Sequence, residues 1–289
     1  MPPLSRREFL LAGAGLAGLA ALGACGDDGN DNAATTGSTR STEPAGRATF
    51  SLVVSTFTHV SGIDERLTVA LLTAERTGPV AIDGPVELAI DGEPVESTVH
   101  TDGTPLPYLL VRHRFEKPGP VEVAATYKGE TSEAGVTVSD PAEVEVPFPG
   151  TAMISTPSPT PANTLGVDPI CTADPPCPLH DVSLDAALGE RRPLAVLFST
   201  PALCKSRFCG PVLDTVLAQR EAFADRVRFL HVEIYSDRTG KTLAPTVKAY
   251  NLAAEPVLFL AGADGIVRDR LDNAFDRVET RAALERLVG

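Results

Sequence analysis

The sequence has no tryptophan, two methionines and no basic tract, and its 289 residues carry a formal net charge of −13. Phosphate backbones are gripped by clustered lysine and arginine, so a nucleic-acid partner is excluded. A long apolar run is also lacking everywhere except at the extreme N-terminus. That excludes a protein with several membrane spans. Hydrophobic residues make up 43% and charged residues 22%, which excludes a wholly disordered chain. The length suggests about two domains. With so little tryptophan and methionine, the most informative chemistry left is that of five cysteines.

The charge is unevenly distributed. Residues 48–148 hold 16 acids, from Asp64 to Glu145, and 6 bases, whereas residues 180–289 hold 15 of each. The two halves are therefore different objects, the acidic one reading as a solvated spacer.

The N-terminus reads as an address. Arg6-Arg7-Glu8-Phe9-Leu10 leads into an apolar stretch of Leu, Ala and Gly that ends at Ala24. A basic start, a short apolar run and a small-residue end describe a secretory signal rather than a stable span. The paired arginines resemble a twin-arginine export signal. Leu22-Gly23-Ala24-Cys25 resembles the lipobox of bacterial lipoproteins, which implies cleavage after residue 24 and acylation of Cys25. Two or three acyl chains anchor firmly, at about 0.8 kcal/mol per buried CH2. The expected location is the cell membrane, lipid-anchored, on the extracytoplasmic side. Disulfides persist there. With Cys25 spent on lipid, four cysteines remain for two pairs. Residues 25–47, rich in Gly, Asn, Asp, Thr and Ser, read as a flexible tether.

From residue 48 to residue 148 the pattern is that of short strands. Thr49–Val54, Arg66–Leu72, Val86–Ile90, Tyr108–Phe115, Val121–Tyr127 and Ala134–Val138 alternate or run apolar. Turn signals such as Asp91-Gly92 and Asp102-Gly103 separate them. This spacing, with no helical stretch, predicts an all-β sandwich that resembles immunoglobulin-like modules, without an inter-sheet disulfide. His59, His100 and His113 are scattered and read as surface or strand-face residues. Residues 149–177 carry Pro157, Pro159, Pro161 and Pro169 among Ser and Thr and read as a semi-rigid linker. Within it, Cys171 and Cys177, flanked by prolines, read as a structural disulfide clip.

Residues 178–289 follow another rhythm. Leu194–Phe198 is a continuous apolar run, as in a strand buried on both faces. A helix-like stretch from Val212 to Phe223, a strand over 227–234, a helix before Tyr250, a strand over 256–260, a turn at Asp264-Gly265, a strand over 266–271 and an amphipathic helix over 278–288 complete the order. That order, with Cys204-Lys205-Ser206-Arg207-Phe208-Cys209-Gly210-Pro211 between the first strand and its helix, and Glu255-Pro256 before the third strand, resembles thioredoxin-like proteins. The resemblance implies an α/β thioredoxin-like fold, a redox-active pair at Cys204 and Cys209, and a cis Pro256 beside it.

Physical chemistry agrees with redox work. The thiolate is the nucleophile, and a helix N-terminus favours it. Lys205 and Arg207 add to this effect if they face the sulfurs. Four residues separate the cysteines where the usual motif has two. Within a helix such a pair would point apart, so the segment must be a loop with the helix beginning near Gly210-Pro211. Position from the strand favours Cys204 as nucleophile, whereas Phe208-Cys209-Gly210-Pro211 matches the local start of the motif and favours Cys209. Strand 194–198 lacks the carboxylate that many relatives keep for proton transfer.

The resulting expectation is a tethered extracytoplasmic thiol–disulfide oxidoreductase whose partners are protein thiols and disulfides. It needs no cofactor and no metal. Two alternatives stay open: copper binding by two cysteines and a distant histidine, for which His231 is the last histidine in the chain, and a non-catalytic surface module with a structural bridge. A peroxidase is disfavoured, since Thr200 stands one residue too far from Cys204.

Overall fold

A computed structural model describes residues 48–289, which form part of one compact unit. The signal, Cys25 and the tether lie outside the described residues. Among the described residues no helix is long and apolar enough to cross a membrane.

The first half contains β1 (Phe50–Val54), β2 (His59–Val60), β3 (Asp64–Thr73), β4 (Val86–Ile90), β5 (Glu93–Val95), β6 (Thr98–His100), β7 (Tyr108–Arg114), β8 (Gly119–Tyr127) and β9 (Glu130–Ser139). One sheet has the order β1-β3-β7-β6 and the other β2-β9-β8-β4-β5, with all pairings antiparallel except β2–β9. Side chains alternate across a strand, so each sheet presents one apolar face. Leu52, Leu67, Val69 and Val111 of the first sheet share a core with Leu88, Ile90, Val123 and Val138 of the second. Asp91 and Gly92 both adopt positive φ, +48° and +81°, which gives the two-residue turn between β4 and β5 the twist a hairpin requires. The sequence reading missed β2, β5 and β6, whose two or three residues are too few for alternation to register.

The second half contains α1 (Leu184–Gly189), β10 (Leu194–Ser199), α2 (Cys209–Phe223), β11 (Arg228–Glu233), α3 (Pro245–Ala249), β12 (Val257–Ala261), β13 (Val267–Asp272) and α4 (Arg277–Val288). Its sheet has the order β11-β10-β12-β13, with β10 and β11 parallel and β12 and β13 antiparallel to their neighbours. This is the thioredoxin-like arrangement. All six residues of β10 are buried, because helices cover both faces. Ala195 and Leu197 pack with Val212 and Val216 of α2 and Leu284 of α4. Val196 and Phe198 pack on the opposite side with Leu184 and Ala187 of α1 and Val247 of α3. Helix α2 opens at Cys209, slightly earlier than the Gly210-Pro211 start read from the sequence.

Residues 149–177 require a correction, for they are not a free linker. Met153 and Val167 are buried in the second-half core. The Tyr250 hydroxyl donates to the Ile154 carbonyl at 3.0 Å, and Thr246 Oγ1 donates to the Pro157 carbonyl at 2.8 Å. The segment's few apolar residues are enough to hold it along the domain, and its prolines have no amide N–H left to satisfy. The two halves also share buried polar contacts. Arg66 donates from Nη1 to the Asp272 carbonyl and pairs with Glu279, which also accepts from the Tyr108 hydroxyl. His59 and His100 sit on strand faces but are buried rather than at the surface, and His100 Nδ1 lies 3.0 Å from Asp276.

Candidate redox site and the thiol–imidazole cluster beside it

The apolar strand β10 ends at Ser199, and the chain then turns through residues 200–208 before α2. Backbone amides of Leu203 and Cys204 both donate to the Thr200 carbonyl, which closes the first bend. Arg207 takes φ +64° at the second. These bends bring the α-carbons of Cys204 and Cys209 to 5.9 Å, and a disulfide joins them. Four intervening residues therefore loop out, and the pair forms where a continuous helix would have kept the sulfurs apart.

The two sulfurs differ in setting. Cys209 is fully buried, while Cys204 is half-buried among exposed neighbours. The Cys209 backbone N–H donates to Cys204 Sγ at 3.4 Å, and Ser206 Oγ lies 3.2 Å from the same sulfur. An amide at a helix N-terminus aimed at a sulfur stabilises negative charge there once the bond is reduced. Lys205 and Arg207 are exposed, and neither makes a hydrogen bond to the sulfurs. Burial pushes the Glu255 carboxyl upward, and the positive charge of Lys205 opposes that rise. The Glu255–Pro256 bond is cis.

Cys171 and Cys177, expected to form a clip, are free thiols. Their sulfurs meet two imidazoles instead. Cys171 Sγ lies 3.7 Å from His231 Nδ1, and Cys177 Sγ lies 3.3 Å from both His231 Nδ1 and His180 Nε2. The Asp174–Pro175 bond is cis, and Cys177 turns back so that its N–H donates to Cys171 Sγ at 3.4 Å. Cys171, His180 and His231 are buried, and Cys177 is half-buried. The neighbouring Cys177 holds the Cys171 thiol well below the ordinary thiol range, against the opposing effect of burial, with His180 and His231 adding to the lowering. The Cys177 thiol is pushed upward by Cys171 beside it and by burial.

The cluster is hydrogen-bonded to the end of β10 and to the loop that carries Cys204 and Cys209. His231 Nε2 lies 3.0 Å from the Ser199 carbonyl and 2.9 Å from Ser199 Oγ, at the end of β10. Thr172 Oγ1 accepts from the Ala202 N–H at 3.2 Å, and the Thr172 N–H donates to Glu233 Oε2 at 2.8 Å. Glu233 is buried and pairs in register with Ser199 across β10 and β11. A buried carboxylate thus does stand near the site, supplied by the neighbouring strand rather than by 194–198. His231 is committed on both nitrogens to Ser199 and to Cys171 and Cys177. It is not turned toward Cys204 and Cys209, as a copper site on that pair would need.

The sequence reading gives no role to His180 or Glu233; it places His231 within a strand, as observed, but not beside Cys171 and Cys177. The spacing Cys171-x5-Cys177-x2-His180 was a local signal for the first. Nothing local links it to His231, which arrives on a strand about fifty residues later.

No protein-family model matches the chain, and no curated protein matches it. Among solved structures, the thioredoxin domain of a thiol-disulfide oxidoreductase from Bacteroides vulgatus is similar at 13% identity, covering 49% of this chain and 99% of that one, with a TM-score of 0.33. A thiol:disulfide interchange protein of the thioredoxin family from Chlorobium tepidum is similar at 17% identity, covering 47% of this chain and all of that one, with a TM-score of 0.31. The titin M4 domain is similar at 12% identity, covering 32% of this chain and 92% of that one, with a TM-score of 0.21.

Proposed function

We propose that the protein is a thiol–disulfide oxidoreductase held outside the cytoplasm by a lipid on Cys25, acting on the thiols and disulfides of other proteins through Cys204 and Cys209. One observation carries this reading. A half-buried sulfur, Cys204, receives the first amide of α2 and is bonded to a fully buried partner, Cys209. Such an asymmetric pair suits a nucleophile and a resolving thiol.

In the reducing direction the Cys204 thiolate attacks one sulfur of a partner disulfide. A Cys204–partner bond forms, the partner's S–S bond breaks, and one partner thiolate leaves. Cys209, deprotonated, then attacks Cys204 Sγ, and the second partner thiolate departs. Two electrons pass from the enzyme dithiol to the partner, and the Cys204–Cys209 bond results. The reverse sequence oxidises a partner dithiol. Pro256, whose peptide bond is cis just before β12, the third strand of the thioredoxin-like sheet, is the candidate for seating the partner backbone. The acidic β half, read as an immunoglobulin-like sandwich, spaces the redox domain from the membrane.

The test is capture of mixed disulfides in cells. Cys209→Ser leaves the attacking sulfur without its resolver and is expected to accumulate partner adducts that dithiothreitol releases. Cys204→Ser is expected to accumulate none. Adducts with Cys204→Ser alone would assign attack to Cys209, and adducts with neither would refute the oxidoreductase reading.

A further inference from the structure

The thiol–imidazole cluster is unused by the redox step, yet it gathers four ligand-type atoms in one place. The donor atoms of Cys171, Cys177, His180 and His231 all lie within 4.8 Å of one another. We propose that these four side chains form a closed, tetrahedral site for a zinc ion that braces the redox domain.

Geometry supports this first. Zinc binds thiolate sulfur at about 2.3 Å and imidazole nitrogen at about 2.0–2.1 Å in a tetrahedron, so neighbouring ligand atoms stand roughly 3.3–3.8 Å apart. Three of the four sulfur–nitrogen separations are 3.3, 3.3 and 3.7 Å. The second observation is the arrangement of the imidazoles. His231 uses Nε2 on the Ser199 carbonyl and so offers Nδ1 to the sulfurs, the outer hydrogen bond that orients a metal-binding histidine. His180 is only 6% exposed, and its Nδ1 has no partner. Its polar contact is Nε2 on Cys177 Sγ, so the ring is aimed into the cluster.

Charge selects the ion. Two thiolates and two neutral imidazoles sum to −2, and a divalent cation makes the buried assembly neutral, whereas a monovalent copper ion would leave a net negative charge in a desolvated place. Glu233 does not supply a fifth ligand, because both its oxygens accept backbone amides, of Thr172 and Ile234. All four tetrahedral positions are then filled by protein, the mark of a structural rather than a catalytic zinc site. The ion would tie residues 171–180 to β11. Thr172, next to Cys171, holds Ala202 in the redox loop. The proposal stands independently of the redox reading, because it uses neither Cys204 nor Cys209.

The experiment uses the full chain purified under reducing conditions, with zinc and then cobalt(II) as the probes. About one zinc per chain is expected by elemental analysis, and cobalt is expected to show tetrahedral d–d bands with sulfur-to-cobalt charge transfer. Cys177→Ser and His180→Ala, at the half-buried and outer ligands, are expected to lose the charge-transfer intensity or shift the d–d bands. Cys204→Ser/Cys209→Ser is expected to retain both. Should His231→Ala fail to fold, the other two variants still decide the matter. Absence of metal from the reduced chain, unaltered cobalt spectra in Cys177→Ser and His180→Ala, or a Cys171–Cys177 disulfide in the protein isolated from its cell envelope would each overturn the site.

Discussion

Arg66 offers the sharpest test of how the two halves are held together. It sits on β3 of the first half with 4% of its surface exposed. Its Nε and Nη2 grip both oxygens of Glu279 on α4, at 2.5 and 2.8 Å. The guanidinium also donates to the Asp272 and Ala274 carbonyls. Burial disfavours the charge, but the Glu279 carboxylate more than offsets this, and the Arg66 pKa is raised. Arg66→Leu removes four hydrogen bonds and leaves Glu279 buried with the Tyr108 hydroxyl and no cation. Breaking one partner of such a pair costs about 3–5 kcal/mol. For a unit of this size each kcal/mol moves the midpoint by about 2–4 °C, so a fall of roughly 6–20 °C is expected. The assay is thermal and urea unfolding of the full chain followed by circular dichroism. Pairing Arg66→Leu with Glu279→Leu is expected to recover much of the loss, since neither charge is then stranded. A single-variant loss below about 1 kcal/mol would refute the reasoning, because it would mean that water reaches the pair and screens it.

Two further outcomes follow from neighbouring contacts. Asp269 is buried, which by itself would raise its pKa, but Arg112 of the first half and Arg286 of α4 hold it below the ordinary carboxylate range. An acid with a depressed native pKa contributes stability that is full above its unfolded pKa of about 3.9 and is lost as pH falls through the native value. Asp269→Asn is therefore expected to be less stable near neutrality and to show a flatter decline below about pH 4 in acid titrations of unfolding; an unchanged acid limb would contradict this. Tyr250→Phe removes the hydroxyl that donates to the Ile154 carbonyl. A loss of about 1 kcal/mol in urea unfolding is expected, with faster proteolytic cleavage in residues 150–160. Cleavage at the wild-type rate would show that this contact does not hold the segment down.

Much of this molecule was legible from local pattern. Strands β3, β7, β8 and β10 announce themselves by alternation or by unbroken apolar runs, and the Asp91-Gly92 turn by residues that tolerate positive φ. The pairing of Cys204 with Cys209 was legible only through the resemblance to thioredoxin-like proteins, and helical geometry added that the residues between them must form a loop. The opposite held for residues 149–177. Their prolines and small polar residues described backbone stiffness, not what the backbone would lie against. Only the packing of Met153 and Val167 turned the expected spacer into part of the core.

What the sequence determined alone is local and periodic: which stretches extend, which coil, where a turn must fall, and that one sulfur pair lies at the mouth of a helix. The tertiary structure decided which distant groups meet. His231 reaches Cys171 and Cys177 from β11, which runs parallel beside β10, and Arg66 on β3 reaches Glu279 on α4. Contacts of that kind depend on long-range register and burial, which leave no periodic trace in the chain. A pair of cysteines that looks like a clip can therefore fold against two histidines instead.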